Sequence, residues 1–180
     1  SQGRFLRARQ TKIHVFFKKV ANKVRLMSDN SELILLGGSG NGKTEFYDEL
    51  NSELTSKCRF VDGLSFTTPV KDIHKIIIHH LYEYRKKHME ELMQKYEKLV
   101  KEGLTAKRNN VINRALKIGS VETLIVSTLF HTKPQFKNIL KMLEEAKNTS
   151  CKIEFAMSPK IIKKLEIDDS VLAILRYKIK

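Results

Sequence analysis

The segment GGSGNGKT, residues 37–44, has the residue types and spacing for phosphate chemistry. It matches the pattern GxxxxGK[ST], follows an apolar run and opens a helical stretch. Glycine amides would cradle the phosphates, Lys43 would reach the terminal phosphate, and Thr44 would hold magnesium. A nucleotide hydrolase of this kind also needs an acid at the end of a second apolar strand. The two best buried strands end in Ser127 and Met157, and Asp62 follows only Phe60 and Val61. The same glycines serve a plain tight turn, because glycine tolerates positive φ. A nucleotide-binding protein using Gly37 to Thr44 stays open as an alternative.

His74, His79, His80 and His88 fall on one long helical stretch, but their spacing is not that of a metal site. Cys58 and Cys151 lie far apart, with no CxxC spacing, so neither a disulfide framework nor a zinc site is indicated. No Ser–His–Asp or Cys–His constellation and no paired carboxylates suggest themselves. Neither a metal nor a cofactor is expected.

Charge is more informative. The first 28 residues carry Arg4, Arg7, Arg9, Lys12, Lys18, Lys19, Lys23 and Arg25, and the first acid is Asp29. The same stretch places Ile13, Phe16, Phe17, Val20, Ala21 and Val24 at the spacing of one helix face. An amphipathic helix with a purely cationic wet side is suited to phosphate or to a membrane surface. The whole chain has 34 Lys+Arg against 20 Asp+Glu, net +14, which favours nucleic acid. No apolar run approaches the roughly 18 residues of a membrane span, and no signal-type pattern accompanies the basic helix. No membrane partner is expected, and reducing cytoplasm is the expected compartment.

The elements that must position these groups follow in order. A strand over 33–36 leads through the glycines to a helix over 44–54, with Phe46, Leu50 and Leu54 inward. A strand over 59–66 follows, either regular or bulged at Gly63. Thr68 and Pro69 start a long helix that Gly103 ends, with Ile73, Ile76, Ile77, His80, Leu81, Tyr84, His88, Leu92, Tyr96 and Leu99 on one face. A boundary is expected at 103–107. Beyond it the pattern alternates: helix 109–118, strand 121–127, helix 134–147, strand 151–157, a short helix from Ser158 and Pro159, and a last strand over 171–177. That reads as a small α/β layer on a mostly parallel sheet. The first region has long helices and only two strands, so further strands are expected upstream of Ser1. The absence of an initiator Met points to a fragment.

Four stretches carry a resemblance over nearly the whole chain: SQGRFLRAR at 1–9, LILLGGSGNGKTEF at 33–46, ALKIGSVETLIVS at 115–127 and SVLAILRYKI at 170–179. They resemble the central and C-terminal domains of the archaeal and eukaryotic class I peptide-chain release factors, a family that includes Pelota-like rescue factors. The resemblance implies two small α/β domains. Residues 1–104 would form a ribonuclease-H-like central domain, incomplete at its N-terminus. Residues 105–180 would form a domain like the kink-turn-binding ribosomal proteins, docking on a translational GTPase. The catalytic Gly-Gly-Gln loop would precede Ser1, leaving no catalytic residue in this sequence. The implied function is translation termination or ribosome rescue by hydrolysis of peptidyl-tRNA. Arg4, Arg7, Arg9 and Lys12 are then expected to contact ribosomal RNA and the tRNA acceptor end, chiefly through phosphates. A structured-RNA-binding module built on 105–180 is a further alternative.

Overall fold

The computed structural model describes residues 2–179, without the side chain of Gln2. Packing divides the chain into two compact units, Ser1–Leu81 and Tyr82–Lys180. The division falls inside the longest helix and not at the 103–107 boundary.

The first unit opens with α1 (Gln2–Met27), followed by β1 (Ile34–Gly37), α2 (Gly42–Tyr47), α3 (Ser52–Lys57) and β2 (Cys58–Val61). α4 (Val70–Glu102) then begins. The expected helix over 44–54 is broken in two, and the cause is local. Asn51 adopts an extended conformation, and its Oδ1 accepts the Leu54 N–H at 2.9 Å, which starts α3 afresh. Phe46, Leu50 and Leu54 nonetheless all turn inward, joining Ala21 and Cys58 in a core flanked by Phe17, Val20 and Val24. Phe16 leaves the stripe assigned to it and is 60% exposed. Successive helical residues point about 100° apart, so Phe16 and Phe17 cannot both face that core. β1 and β2 pair in parallel, with Gly37 opposite Val61. The strand expected to run to Phe66 stops at Val61, and Gly63 turns the chain at φ 77°.

The second unit contains the C-terminal part of α4, then β3 (Thr105–Ala106), α5 (Asn109–Lys117), β4 (Val121–Ser127), a 3-10 turn (Phe130–Thr132), α6 (Phe136–Asn148), β5 (Lys152–Ala156), α7 (Pro159–Glu166) and β6 (Val171–Leu175). The sheet order is β3-β6-β4-β5. Here the expectation of a mostly parallel sheet is corrected. Only β4 and β5 run parallel, joined through α6, whereas β6 lies antiparallel between β3 and β4. The short helix α7 leaves the chain at the end of the sheet where β5 finishes, so β6 starts there beside Val126 and runs back.

Two layers cover that sheet. On one face, Ile112, Ala115 and Leu116 of α5 and Ile139, Met142 and Ala146 of α6 pack on Val121, Leu124 and Val126. On the other, Met89, Met93 and Tyr96 of α4 and Ile161, Ile162 and Leu165 of α7 pack on Ile125, Leu172 and Ile174. Met89 and Met93 stand one position beside the expected His88 and Leu92 face. Burial of this stripe is what assigns the later turns of α4 to the second unit.

Candidate nucleic-acid interface

The opening helix presents the cationic groups. Arg4, Arg7, Arg9, Lys12, Lys18, Lys19, Lys23 and Arg25 are all exposed. None of the described ion pairs includes any of them. Residues 3–12 are exposed throughout, and the packed stripe of α1 begins only at Ile13. Three turns therefore offer side chains on all sides. Phe5 is 84% exposed on these turns, with Leu6 beside it. Sequence reasoning missed this pair because Leu6 continues the line of Ile13, Phe17 and Val24 toward the N-terminus, with Phe5 beside it, while the packing that would cover them begins only at Ile13.

Charge on the rest of α1 is not evenly set. Gln10, His14 and Phe17 line a cleft whose opposite wall holds Glu45, Asp48 and Glu49, and His14 Nδ1 pairs with Glu49. The carboxylates lie along that side of α1, so the cationic surface is directed elsewhere around the helix. This asymmetry suits a polyanion approaching from one direction.

The phosphate-like loop has a different outcome. The β1–β2 pairing does put Asp62 just past the end of the neighbouring parallel strand, where a metal-holding acid would be needed. Lys43 Nζ, however, donates to Asp62 Oδ1 at 2.9 Å. This hydrogen bond, reinforced by the charge of Lys43, holds the Asp62 carboxyl below the usual range. The helix that follows, α2, has six residues, too short to build much of a macrodipole. Gly40 turns at φ 70°, and a Cβ on Gly37 would overlap the Leu64 side chain. The segment makes a tight corner with the exposed Lys43–Asp62 ion pair across it.

The histidines are not brought together. His88 Nε2 lies 3.2 Å from Glu154 Oε1 and stacks on Tyr84, while His79 and His80 meet edge to face. Among the described residues, no group of three or more His, Cys, Asp or Glu side chains could hold a metal ion. The two thiols are free, with Cys58 in the first unit and Cys151 in the second. Burial raises the pKa of both. No helix among the described residues is long and apolar enough to cross a membrane.

Comparison with known proteins defines the class. The family model described as eRF1 domain 2 matches residues 1–102, and the chain belongs to that release-factor family. Peptide chain release factor subunit 1 of Archaeoglobus fulgidus is 31% identical over 139 residues, 71% of this chain and 33% of the relative. Among solved structures, ribosome-bound archaeal Pelota with ABCE1 is similar at a TM-score of 0.71 and 20% identity, over 92% of this chain and 49% of that one. Dom34 of S. cerevisiae, a termination-like factor that interacts with Hbs1, gives a TM-score of 0.67 at 14% identity, over 91% of this chain and 52% of its own. At these identities the structural likeness shows the α/β fold alone. The chain thus spans about a third of the matched release factor and about half of the matched Pelota and Dom34 chains.

Proposed function

We propose that this chain is part of a translation factor that works on the ribosome to promote hydrolysis of peptidyl-tRNA. The first three turns of α1 are the element that meets RNA. Arg4, Arg7, Arg9 and Lys12 engage phosphates of ribosomal RNA and of the tRNA acceptor end, and Phe5 offers a ring on which an unpaired base can stack. Residues 105–180 dock a translational GTPase, a reading supported by the interaction of Dom34 with Hbs1. Cytoplasm is the compartment such a factor works in.

One observation carries the reading: four cationic side chains stand exposed on α1 outside every described ion pair, in a chain of the eRF1 domain 2 family. Phosphate contacts of this kind orient a protein on RNA without reading sequence. Co-sedimentation with purified ribosomes tests it. Alanine at Arg4, Arg7, Arg9 and Lys12 together should weaken binding by about tenfold or more at moderate salt, since each lost contact removes its share of counterion release. Lysine at the three arginine positions should retain most of it. Equal binding by the alanine variant would remove α1 from the interface.

A further inference from the structure

In the second unit, β5 lies at the edge of the sheet and, among the described residues, pairs only with β4. The Thr128 N–H donates to the Ala156 carbonyl at 3.1 Å, so the main chain of Ala156 faces the β4 side. Alternation along a strand then turns the N–H and C=O of Ile153 and Phe155 the other way. These groups have no strand partner. They form a short template with the spacing of a peptide main chain, the kind of edge that accepts another strand.

The surroundings of that edge select what could pair with it. Phe155 and Met157 are each 45% exposed. With Tyr82, Met89 and Ser158 they line a niche of about 10 Å³, no more than one water-sized sphere, so an apolar side chain would rest against the exposed faces of Phe155 and Met157. Arg85 and Lys86 of α4 line the same niche, Lys152 begins the strand, and Lys160 follows it on α7. The nearby acids are already engaged: Glu83 lies 3.8 Å from Lys86, and Glu154 faces His88. Arg85, Lys152 and Lys160 lie outside the described ion pairs. With Lys86 paired to Glu83, the cations left at this border are Arg85, Lys152 and Lys160.

We propose that the β5 edge receives an extended, acidic peptide segment of a protein partner by strand addition. The segment pairs its main chain with Ile153 and Phe155, rests one small apolar side chain against Phe155 and Met157, and sets its carboxylates against Arg85 and Lys152, with Lys86 within reach once it leaves Glu83. A polynucleotide would answer the charge but not the alternating donor and acceptor of the strand edge. This surface is distinct from the cationic turns of α1, and neither depends on the other.

Fluorescence polarisation on the full chain tests the proposal, with a labelled ten-residue peptide of alternating glutamate and valine as probe. An alternating lysine and valine peptide is the control. The acidic probe should bind saturably and at least tenfold more tightly than the control. Arg85→Glu with Lys86→Glu, both on the helix surface, should weaken it at least tenfold. Phe155→Pro removes one outward N–H without touching the β4 ladder, as edge strands tolerate, and should abolish binding. Amide exchange at Phe155 in the unsubstituted chain should slow when the probe is bound, which keeps the test decisive should the proline variant fail to fold. Absence of saturable binding, equal affinity for both peptides, unchanged exchange at Phe155, or full displacement of the probe by polyuridylate would each overturn strand addition.

Discussion

Lys43 and Asp62 join the corner after β1 to the end of β2 through a 2.9 Å hydrogen bond that is also an ion pair. The partners are unequally placed: the Lys43 side chain is 20% exposed and that of Asp62 is 94% exposed. The stem of the lysine lies along the protein while its head holds a carboxylate that water still reaches. An apparent nucleotide motif thus becomes a fastening between neighbouring strand ends.

Replacing Lys43 by Met should return the Asp62 carboxyl to its ordinary value, as read by side-chain carbon chemical shifts across an acid titration. A carboxylate held low in the folded state adds stability above its unfolded value, and that stability is lost as pH falls through the folded value. The stability difference between the natural chain and the variant should therefore be present at neutral pH and vanish in acid. A variant whose Asp62 titration is unmoved would show that the pair does not set the shift.

Gly37→Ala tests the close approach at the same corner. The added Cβ would overlap Leu64 Cδ1 and lie 3.1 Å from its Cβ. Overpacking of this kind costs about 1–3 kcal/mol, and the mobile tip of Leu64 puts the expectation near the lower end. Leu64→Ala made in the same chain should relieve most of the added cost in a double-mutant cycle by urea unfolding.

Asn51→Ala should destabilise the first unit by about 1 kcal/mol, because the Leu54 N–H loses its cap. Asn51→Asp, which keeps an acceptor oxygen, should remain close to the natural chain. Urea unfolding followed by helical circular dichroism reads both.

How much of this was legible in the sequence differs by element. The strand Val121–Ser127 has the bounds expected from its apolar run, and Gly103 ends α4 as expected, whereas the helix starts at Val70, one position later than Thr68 as cap and Pro69 as first helical residue would give. Periodicity finds elements that bury a long continuous face. It missed the break between α2 and α3, because one asparagine cap interrupts an otherwise unbroken inward pattern. It missed β3 because two residues carry no period. Strand direction was not legible either, since β6 buries every residue whichever way it runs. For the candidate interface, the row of uncompensated bases was plain in the sequence. The exposure of Phe5 was not, because a residue beside an apolar stripe reads like one within it.

Cys151 should alkylate slowly in the folded chain near neutral pH. Its thiol is pushed up chiefly by burial, and the thiolate is the reactive form. Iodoacetamide labelling followed by mass spectrometry should show Cys151 and the buried Cys58 reacting markedly faster once the chain is unfolded in urea. Rapid labelling of Cys58 in the folded chain would contradict its place in the first core, and rapid labelling of Cys151 would contradict the raised thiol pKa.

The central claim is that α1 grips RNA through its phosphates, and the salt dependence of ribosome binding measures this most directly. With Arg7→Ala and Arg9→Ala together, the plot of log affinity against log salt should lose about one unit of slope for each arginine removed, along with affinity at low salt. An unchanged slope and an unchanged affinity would contradict the account.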